Sequence, residues 1–560
     1  MSDSSLPYRA ASSRPQRVRV GGHWLAKVAM LAAFSCALPM VAVAIAALTG
    51  GTETVQHLAQ TGLGRYTLTT LMLVVIVSIG TFFVGVGAAW LVTMTRFPGV
   101  RFFEIALVLP LAFPAYVLAY AYTHVLDHPG IVQSLLRDVT GWGPRDYWFP
   151  EIRSVGGAAT MLILVLYPYV YLLARAAFLQ QSATTFLAAR ALGSSAWSAF
   201  FRISLPLARP AIAGGVLLAV METIADFGTV AYFGVHTFAT GIYTSWFSLA
   251  DRAGAAQLAL CLLMFALLLA MLERAQRGGA QYHDPSRRQQ PMEPAHLSGR
   301  QSAFAILLCG VPVLLGALLP IVILLSMAIG SEQNLLSNRY LGFIQNSLTL
   351  ASVAAVITVF AAVSIGFYQR LAPGRRSHSA AYVARLGYAV PGGVIAVGLL
   401  VPFAAFDNAL DSFMRATFDV STGLLITGSI WLLVAAYMVR FLAAALGAYE
   451  GGQALVPANM DAAARSLGQT PTGTLQRVHL PILAPSLLTA LLIVFVDVMK
   501  ELPATLIMRP FNYDTLAVQA YRLASDERLE GAAVPSLVIV AIGLLPVVLI
   551  CRQVGRQRRG

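Results

Sequence analysis

The chain has 560 residues, of which 58% are hydrophobic and only 11% are charged, and its formal net charge is +13. This composition excludes a water-soluble globular domain, because about a quarter of the residues of such domains are charged. Apolar runs of about 20 residues, the length that crosses roughly 30 Å of hydrocarbon, recur along the chain. They predict an all-α, polytopic transmembrane bundle with twelve spans, near residues 25–49, 66–94, 102–124, 154–179, 208–232, 254–273, 303–329, 346–369, 381–406, 422–447, 482–508 and 533–551.

The basic residues concentrate in the two tails of the chain. Residues 1–24 and residues 552–560 each contain four arginines. Because cytoplasmic segments of membrane proteins carry an excess of Lys and Arg, both tails are predicted on the cytoplasmic side of the membrane. The basic chain is therefore expected to contact a lipid bilayer and not nucleic acid. The first span follows a basic segment as a secretory signal does, but its apolar region is longer than a signal core, which favours a retained span.

One polar segment occurs twice in the chain. The first copy, at 187–210, reads LAARALGSSAWSAFFRISLPLARP, and the second, 275 residues later at 462–485, reads AAARSLGQTPTGTLQRVHLPILAP. Nine aligned residues are identical, among them Gly193 and Gly468. Each copy follows the fourth predicted span of a set of six, so the chain is predicted to be a duplication.

The duplication predicts two parallel halves of six spans each. The first half covers residues 25–273 and the second covers residues 303–551. A polar linker at 274–302, which contains Gly, Pro and charged residues, is expected to join them on the cytoplasmic side.

Each copy of the segment has the local pattern of a compact helical loop. A short helix is expected to end at Gly193 or Gly468, because glycine adopts the left-handed conformation that follows a helix. A second short amphipathic piece should follow, and Pro206 or Pro481 should stop it before the next membrane helix begins. The pattern therefore predicts one helical knob on the cytoplasmic side of each half.

The two copies resemble the EAA loop of binding-protein-dependent ABC importer permeases, whose pattern is Glu-Ala-Ala-x-x-x-Gly and then aliphatic-x-Leu-Pro. Leu187 and Ala462 stand at the position of the Glu, although Asp461 comes one residue earlier in the second copy. In that family the loop is the coupling helix, which docks into a groove on the ATPase subunit. The resemblance implies this coupling role for Ala188, Ala189, Arg190, Gly193, Leu205 and Pro206, and for Ala463, Ala464, Arg465, Gly468, Leu480 and Pro481.

Longer stretches at 113–127, 221–234 and 497–533 resemble the fused, two-half permeases of ferric iron importers. This resemblance implies a type I ABC importer permease that receives ferric iron from an extracytoplasmic binding protein, with thiamine, phosphonate or another small solute as the alternative. The chain contains no G-x-x-x-x-G-K-[ST] phosphate-binding loop. ATP and Mg are therefore expected on two copies of a separate ATPase subunit, and neither a cofactor nor a catalytic residue is expected on this chain.

Four acidic residues fall within apolar segments. Glu222 and Asp226 lie four residues apart on one helical face, and the 275-residue shift places them on Asp497 and Glu501. At about 1.5 Å per residue, the acids lie roughly 24 and 30 Å along the helix from Pro206, which puts them toward the outer mouth. Because a carboxylate in hydrocarbon needs a partner or water, the acids are predicted to form or gate the translocation pathway. The alternative is a static network in which they pair with basic residues or cap helix ends.

Two further interpretations stay open at this stage. An ion-coupled secondary transporter with parallel repeats would also show twelve spans and intramembrane acids, but it would not need paired cytoplasmic loops. Tyr116, Tyr120 and Tyr122 have side chains that suit iron chemistry, but tyrosines near a membrane edge are more often interfacial anchors, and this second role is the one expected.

Overall fold

The computed structural model describes residues 23–179, 181, 198, 200–278, 294–333 and 337–557. Nearly all of this part of the chain is helical, and its strands are β1 (Thr95–Arg96) and β2 (Ala295–His296), which pair in parallel. The predicted all-α class is therefore confirmed. The helices are α1 (His23–Thr49), α2 (Thr52–Thr61), α3 (Leu63–Met94), α4 (Val100–Ala106), α5 (Ala115–Leu126), α6 (Ile131–Thr140), α7 (Val155–Leu179), α8 (Leu205–Ala225), α9 (Gly228–Tyr232), α10 (Phe238–Tyr243), α11 (Arg252–Gly278), α12 (Gly299–Val313), α13 (Leu319–Ile329), α14 (Asn338–Leu371), α15 (Arg375–Leu386), α16 (Gly392–Phe418), α17 (Ile430–Gln453), α18 (Ala458–Ser466), α19 (Pro471–Thr474), α20 (Leu480–Met499), α21 (Pro503–Met508), α22 (Leu516–Ser525) and α23 (Leu529–Gln557).

Ten helical segments of the described residues are long and apolar enough to cross a membrane, and one bent pair raises this number to eleven. The predicted number of twelve spans is therefore not confirmed. The predicted span 102–124 is interrupted, because the segments Val100–Ala112 and Ala115–Thr140 meet at an angle of 92°. Phe113 at the bend is extended, with φ −91° and ψ 132°, as the residue before a proline prefers.

One other predicted span is displaced relative to the observed helix. The span predicted at 381–406 is displaced toward the C-terminus and corresponds to α16, because the polar helix α15 comes before it and the chain turns between Gly387 and Pro391. The span predicted at 533–551 lies within α23.

The helices repeat at the spacing of the duplicated segment. The starts of α3 and α14 lie 275 residues apart, as do those of α7 and α17 and those of α8 and α20. The first helix of each predicted half packs on the other half, since α1 lies against α14, α15 and α16, whereas α12 lies against α3 and α4. Gly398 of α16 allows this approach, because a Cβ there would overlap the backbone of Pro39 in α1. One apolar core therefore runs through both halves.

Three membrane helices contain a wide π turn directly before a Leu-Pro pair. These turns are Phe200–Ser204, Leu314–Leu318 and Leu475–His479, and the prolines are Pro206, Pro320 and Pro481. Proline has no N–H and its ring crowds the preceding turn, so a widened turn lets the helix continue through it. The expectation that Pro206 and Pro481 end a separate helical piece is therefore wrong, because Phe200–Ala225 and Pro471–Met499 are continuous helical segments.

Candidate translocation cavity and coupling loop

The four acids predicted from the sequence meet at one cavity. Glu222 and Asp226 reach it from the end of α8, and Asp497 and Glu501 reach it from the end of α20. The cavity has a volume of about 100 Å³, and residues of α5, α7 and α17 also line it. Both predicted halves therefore contribute acids to the same space.

The cavity lies deeper in the bundle than the sequence indicated. The residues of α7 that line it run from Leu162 to Tyr169, roughly 10 to 21 Å along the helix from Val155. Since α7 has 25 residues, the cavity lies near its middle. The short helix α9 leads from the acids to Tyr232, which packs under Arg153 just before α7 begins. The expectation that the acids stand toward the outer mouth is corrected accordingly.

Asp226 and Glu501 cap the short helices that follow them. The Asp226 carboxylate accepts hydrogen bonds from the backbone N–H groups three and four residues later and from the Thr229 hydroxyl, at 3.0–3.1 Å. The Glu501 carboxylate accepts the equivalent backbone bonds and one from the Thr505 hydroxyl, at 2.7–3.0 Å. Each acid stabilises a helix N-terminus, that of α9 or that of α21. For these two acids, the structure shows the helix capping of the static alternative.

Glu222 and Asp497 lie one turn before the capping acids, inside α8 and α20. Glu222 accepts a hydrogen bond from the Tyr388 hydroxyl at 3.2 Å, and its other carboxylate oxygen lies 3.9 Å from a guanidinium nitrogen of Arg440. A carboxylate oxygen of Asp497 lies 3.0 Å from the ammonium nitrogen of Lys500. The side chains of Glu222 and Asp497 are 32% and 23% exposed. A solute in the cavity can therefore reach these two acids.

The cations among the described lining residues, Arg440 and Lys500, both come from the second half. The 275-residue shift places Val165 and Ala225 at their positions in the first half, and both of these residues line the cavity too. Arg440 also lies 3.8 Å from a carboxylate oxygen of Glu501. Arg440 was not predicted as a site residue, although an arginine inside an apolar span is itself a sign of a buried charge network.

The charged side chains that line the cavity form a network of ion pairs. Within the described ranges of the chain, no group of three or more His, Cys, Asp and Glu side chains is arranged to hold a metal ion. Two of the four acids are engaged in capping, and the other two face cations. A solute that binds carboxylate oxygens here therefore has to compete with Arg440 and Lys500 for them.

The second copy of the repeated segment folds as the predicted helical loop. The helix α18 ends at Ser466, and Gly468 has φ +74°, the left-handed conformation expected after a helix. Thr470 then caps α19, because its hydroxyl accepts a hydrogen bond from the backbone N–H of Gly473 at 3.1 Å. The loop leads without a break into α20, which ends at the cavity.

The loop presents a mixed apolar and basic surface to the outside. Arg465 is exposed, and the side chains of Leu467 and Leu455 are 79% and 77% exposed. Among the other predicted residues of this copy, Ala463 and Pro481 are exposed, Ala464 is buried, and Leu480 is half-buried. In the first copy, Leu205 and Pro206 are half-buried at the start of α8, whereas Ala188, Ala189, Arg190 and Gly193 lie outside the described residues.

Asp461 fastens α18 to the membrane helices. Its two carboxylate oxygens lie 2.6 Å from Nε of Arg370 in α14 and 2.6 Å from Nε2 of the fully buried His479. Arg370 also donates hydrogen bonds to the carbonyl oxygens of Val456 and Pro457, just before α18. Burial acts to raise the pKa of the Asp461 carboxyl, but the hydrogen bonds from Arg370 and His479 hold it below its usual range. The acid one position before the expected Glu therefore points inward and positions the loop.

The three tyrosines of α5 lie inside the protein. Tyr116, Tyr120 and Tyr122 are 4%, 0% and 6% exposed, and the Tyr122 hydroxyl donates a hydrogen bond to the carbonyl of Leu315 at 2.6 Å. Helices α7, α9, α13 and α23 pack around α5. The expectation that these tyrosines are interfacial anchors is therefore wrong.

A comparison with known protein families finds a match in the first half of the chain. Residues 81–277 match the family described as binding-protein-dependent transport system inner membrane component. This range contains the first copy of the repeated segment together with Glu222 and Asp226. The first half of the chain is therefore similar to a permease component of binding-protein-dependent transport systems.

Three curated relatives extend the comparison. The chain is 26% identical over 540 residues to the Fe(3+)-transport system permease protein FbpB 2 of Haemophilus influenzae, which covers 94% of this chain and 97% of that protein. It is 24% identical over 464 residues to the ferric transport system permease protein FbpB of Actinobacillus pleuropneumoniae, which covers 79% of this chain and 64% of that protein. It is 29% identical over 194 residues to the molybdenum transport system permease protein ModB of Escherichia coli, which covers 34% of this chain and 81% of that protein. The resemblance to ferric permeases thus spans almost the whole chain.

Proposed function

We propose that this chain, as the permease component of a binding-protein-dependent importer, provides the passage for a solute whose uptake is driven by ATP. An extracytoplasmic binding protein delivers the solute, and two copies of a cytoplasmic ATPase subunit bind the two coupling loops and hydrolyse ATP with Mg. The chain spans the bacterial inner membrane with both termini in the cytoplasm, as the basic tails favour. It contributes neither a catalytic residue nor a cofactor.

The observation that supports this function best is that α20 connects the coupling loop with the cavity. Pro481 lies beside the loop at the start of the helix, and Asp497 faces the cavity 16 residues later. At about 1.5 Å per residue, the two positions are roughly 24 Å apart along one helix. A displacement of the loop by the ATPase therefore moves the wall of the cavity. In the first half, α8 spans the same number of residues between Pro206 and Glu222.

The proposed solute is ferric iron. Two relatives that align over most of the chain carry ferric transport in their names. The exposed carboxylate oxygens of Glu222 and Asp497 suit a hard cation. Thiamine, phosphonate or another small solute is the alternative, and a relative named for molybdenum transport matches about one third of the chain.

The source of energy separates this function from that of an ion-coupled secondary transporter. The chain, its ATPase and its binding protein are reconstituted in proteoliposomes, and uptake of radiolabelled ferric iron is measured. We expect uptake to require ATP and to persist when a protonophore collapses the proton gradient. Uptake that continues without ATP and stops with the protonophore would show a secondary transporter instead.

The coupling role is tested at Gly468. Proline cannot adopt φ +74°, so Gly468→Pro distorts the turn after α18. We expect this variant to bind the ATPase and permit ATP hydrolysis while uptake falls at least about tenfold, a loss of about 1.4 kcal/mol of coupling. The matched control is Gly141→Pro, since Gly141 has φ +72° and its N–H, like that of Gly468, bonds a carbonyl three or four residues earlier. The control should transport normally, and normal uptake by Gly468→Pro would contradict the coupling role.

A further inference from the structure

Three tyrosines form a column between the cavity and the end of the bundle opposite the coupling loop. Tyr116 lines the cavity, and its ring centroid lies 5.6 Å from that of Tyr120. The ring of Tyr120 packs edge to face with that of Tyr232 at 4.7 Å. The guanidinium carbon of Arg153 lies 5.2 Å from the centroid of the Tyr232 ring. Arg153 therefore closes the end of this tyrosine column that is farther from the cavity.

The column contains polar groups that packing does not require. The hydroxyl oxygens of Tyr116 and Tyr120 are buried, and neither has a hydrogen-bond partner among the residues that the structure describes. A buried hydroxyl without a partner destabilises a fold, and phenylalanine would fill the same space without this cost. The two hydroxyls therefore point to a polar species that contacts them in another state of the protein.

At the end of the column farther from the cavity, Arg153 forms ion pairs with acids of both halves. It donates hydrogen bonds to Glu527 of the second half at 2.7 and 2.9 Å, and to Asp127 of the first half at 3.0 Å. Hydrogen bonding to Arg153 holds the pKa of the Glu527 carboxyl below its usual range, so this ion pair is fully charged at neutral pH. The 275-residue shift places Gly428 at the position of Arg153, so the duplication does not repeat this arginine.

Carboxylates outnumber cations at both ends of the column. Asp127 and Glu527 surround the single charge of Arg153. At the end that meets the cavity, the described lining residues include four acids and two cations. This excess of negative charge attracts a positively charged solute and repels an anion.

We propose that Tyr232, Tyr120 and Tyr116 form the extracytoplasmic gate of the passage, that the Arg153–Glu527 ion pair keeps it shut, and that the gate admits cations. When the ion pair opens, the two halves separate at this end, and the hydroxyls of Tyr120 and Tyr116 contact the hydrated solute. The inference rests on the proposed function for the direction of transport and for a cationic solute, and it adds the gate and the ion pair that holds it shut.

Cysteine accessibility tests the gate directly. Tyr120→Cys is introduced into the full chain after Cys36, Cys261, Cys309 and Cys551 are replaced by alanine. Spheroplasts that expose the extracytoplasmic face are treated with a cationic trimethylammonium methanethiosulfonate or with an anionic sulfonate of similar size. We expect Glu527→Gln to increase the rate of modification at least about tenfold, because it removes a bidentate, charge-assisted pair. Tyr232→Cys serves as a second reporter in the same design.

Two controls separate the gate from general loosening of the protein. Glu151→Gln neutralises an exposed acid in the same loop as Arg153 and should leave the modification rate unchanged. Trp148→Cys, at a side chain that is 85% exposed, gives the intrinsic ratio of the rates of the two reagents. We expect the cationic reagent to be favoured at Tyr120→Cys by more than this ratio.

The outcomes distinguish the gate from the permease function. Equal rates for Glu527→Gln and Glu151→Gln at both reporters would overturn the role of the ion pair, and a preference for the anionic reagent would overturn the selectivity for cations. Uptake that still requires ATP in the wild-type chain would leave the permease function intact in either case. If Glu527→Gln increases the rate of modification but uptake in the wild-type chain does not require ATP, the gate is supported and the ATP-driven function is contradicted.

Discussion

The two halves build the same acidic cavity but surround it with different charges. Each half supplies an acid that faces the cavity (the facing acid), Glu222 or Asp497, and a capping acid four residues later. At two further lining positions the first half has Val165 and Ala225, where the second half has Arg440 and Lys500. The duplication has thus kept the acids, whereas the cations among the described lining residues belong to one half.

This difference separates the acids that satisfy backbone N–H groups from the cations that set the charge of the cavity. A capping acid is needed in both halves, because the short helix after it has N–H groups that would otherwise be buried without partners. The cations are not needed for the backbone, since valine and alanine fill the same positions in the first half. The coupling loops differ in a similar way, because Phe186 and Ser204 occupy the positions of Asp461 and His479.

Removing Arg440 is expected to have the largest effect on stability. Its side chain is 12% exposed and it faces Glu501, which is 2% exposed, so its loss leaves a buried carboxylate without its cation. We expect Arg440→Met to lower the free energy of unfolding by about 3 kcal/mol. The measurement is the thermal unfolding midpoint of the purified chain in detergent.

The matched control for this prediction is Arg477→Met, which removes an exposed arginine. This change should alter the free energy of unfolding by less than about 0.5 kcal/mol. If both variants unfold at the wild-type temperature, the stability of the protein does not depend on Arg440.

The capping acids give a smaller effect that measures the asymmetry. Asp226→Asn weakens the cap of α9 and should lower the free energy of unfolding by about 1 kcal/mol. Glu501→Gln weakens the equivalent cap of α21 and also removes a partner of Arg440, so it should cost more than Asp226→Asn. Thermal unfolding of the two variants side by side gives the difference. Equal unfolding midpoints would mean that the ion pair between Arg440 and Glu501 does not stabilise the protein.

Acid is expected to loosen the second coupling loop, which is the smallest of these effects. The folded pKa of Asp461 is below its unfolded value, so its contribution is complete above the usual carboxyl range and is lost as the pH falls through the folded pKa. The contribution of such a partly exposed pair is about 1 kcal/mol or less. Limited proteolysis between residues 455 and 470 should accelerate on acidification in the wild type. Asp461→Asn should be cleaved quickly at every pH, and an identical pH profile for this variant would remove Asp461 as the anchor.

Features that depend on local sequence were predictable. Gly468 follows a short helix, so its left-handed conformation could be inferred from spacing alone. The duplication then related the acids of one half to those of the other, because a 275-residue shift carries Glu222 to Asp497. A charge within an apolar run is rare enough that its meeting with other charges in one cavity could be expected.

Features that depend on packing were not predictable. Helix continuity through Pro481 depends on a π turn, and the pattern of apolar residues does not reveal such a turn. The burial of Tyr120 depends on helices from distant parts of the chain, which surround α5. The pair of Arg153 and Glu527 joins residues 374 positions apart, and the second half has no equivalent arginine that would have drawn attention to it.

The most direct test of the shared passage is ATP-driven uptake of ferric iron by the double variant Glu222→Gln/Asp497→Asn in proteoliposomes. Both substitutions keep the size of the side chain and leave the capping acids in place, and ATPase binding is matched to that of the wild type. If the two facing acids form one passage, uptake should fall at least about tenfold, which corresponds to about 1.4 kcal/mol, while ATP hydrolysis continues. Uptake at the wild-type rate would contradict the account.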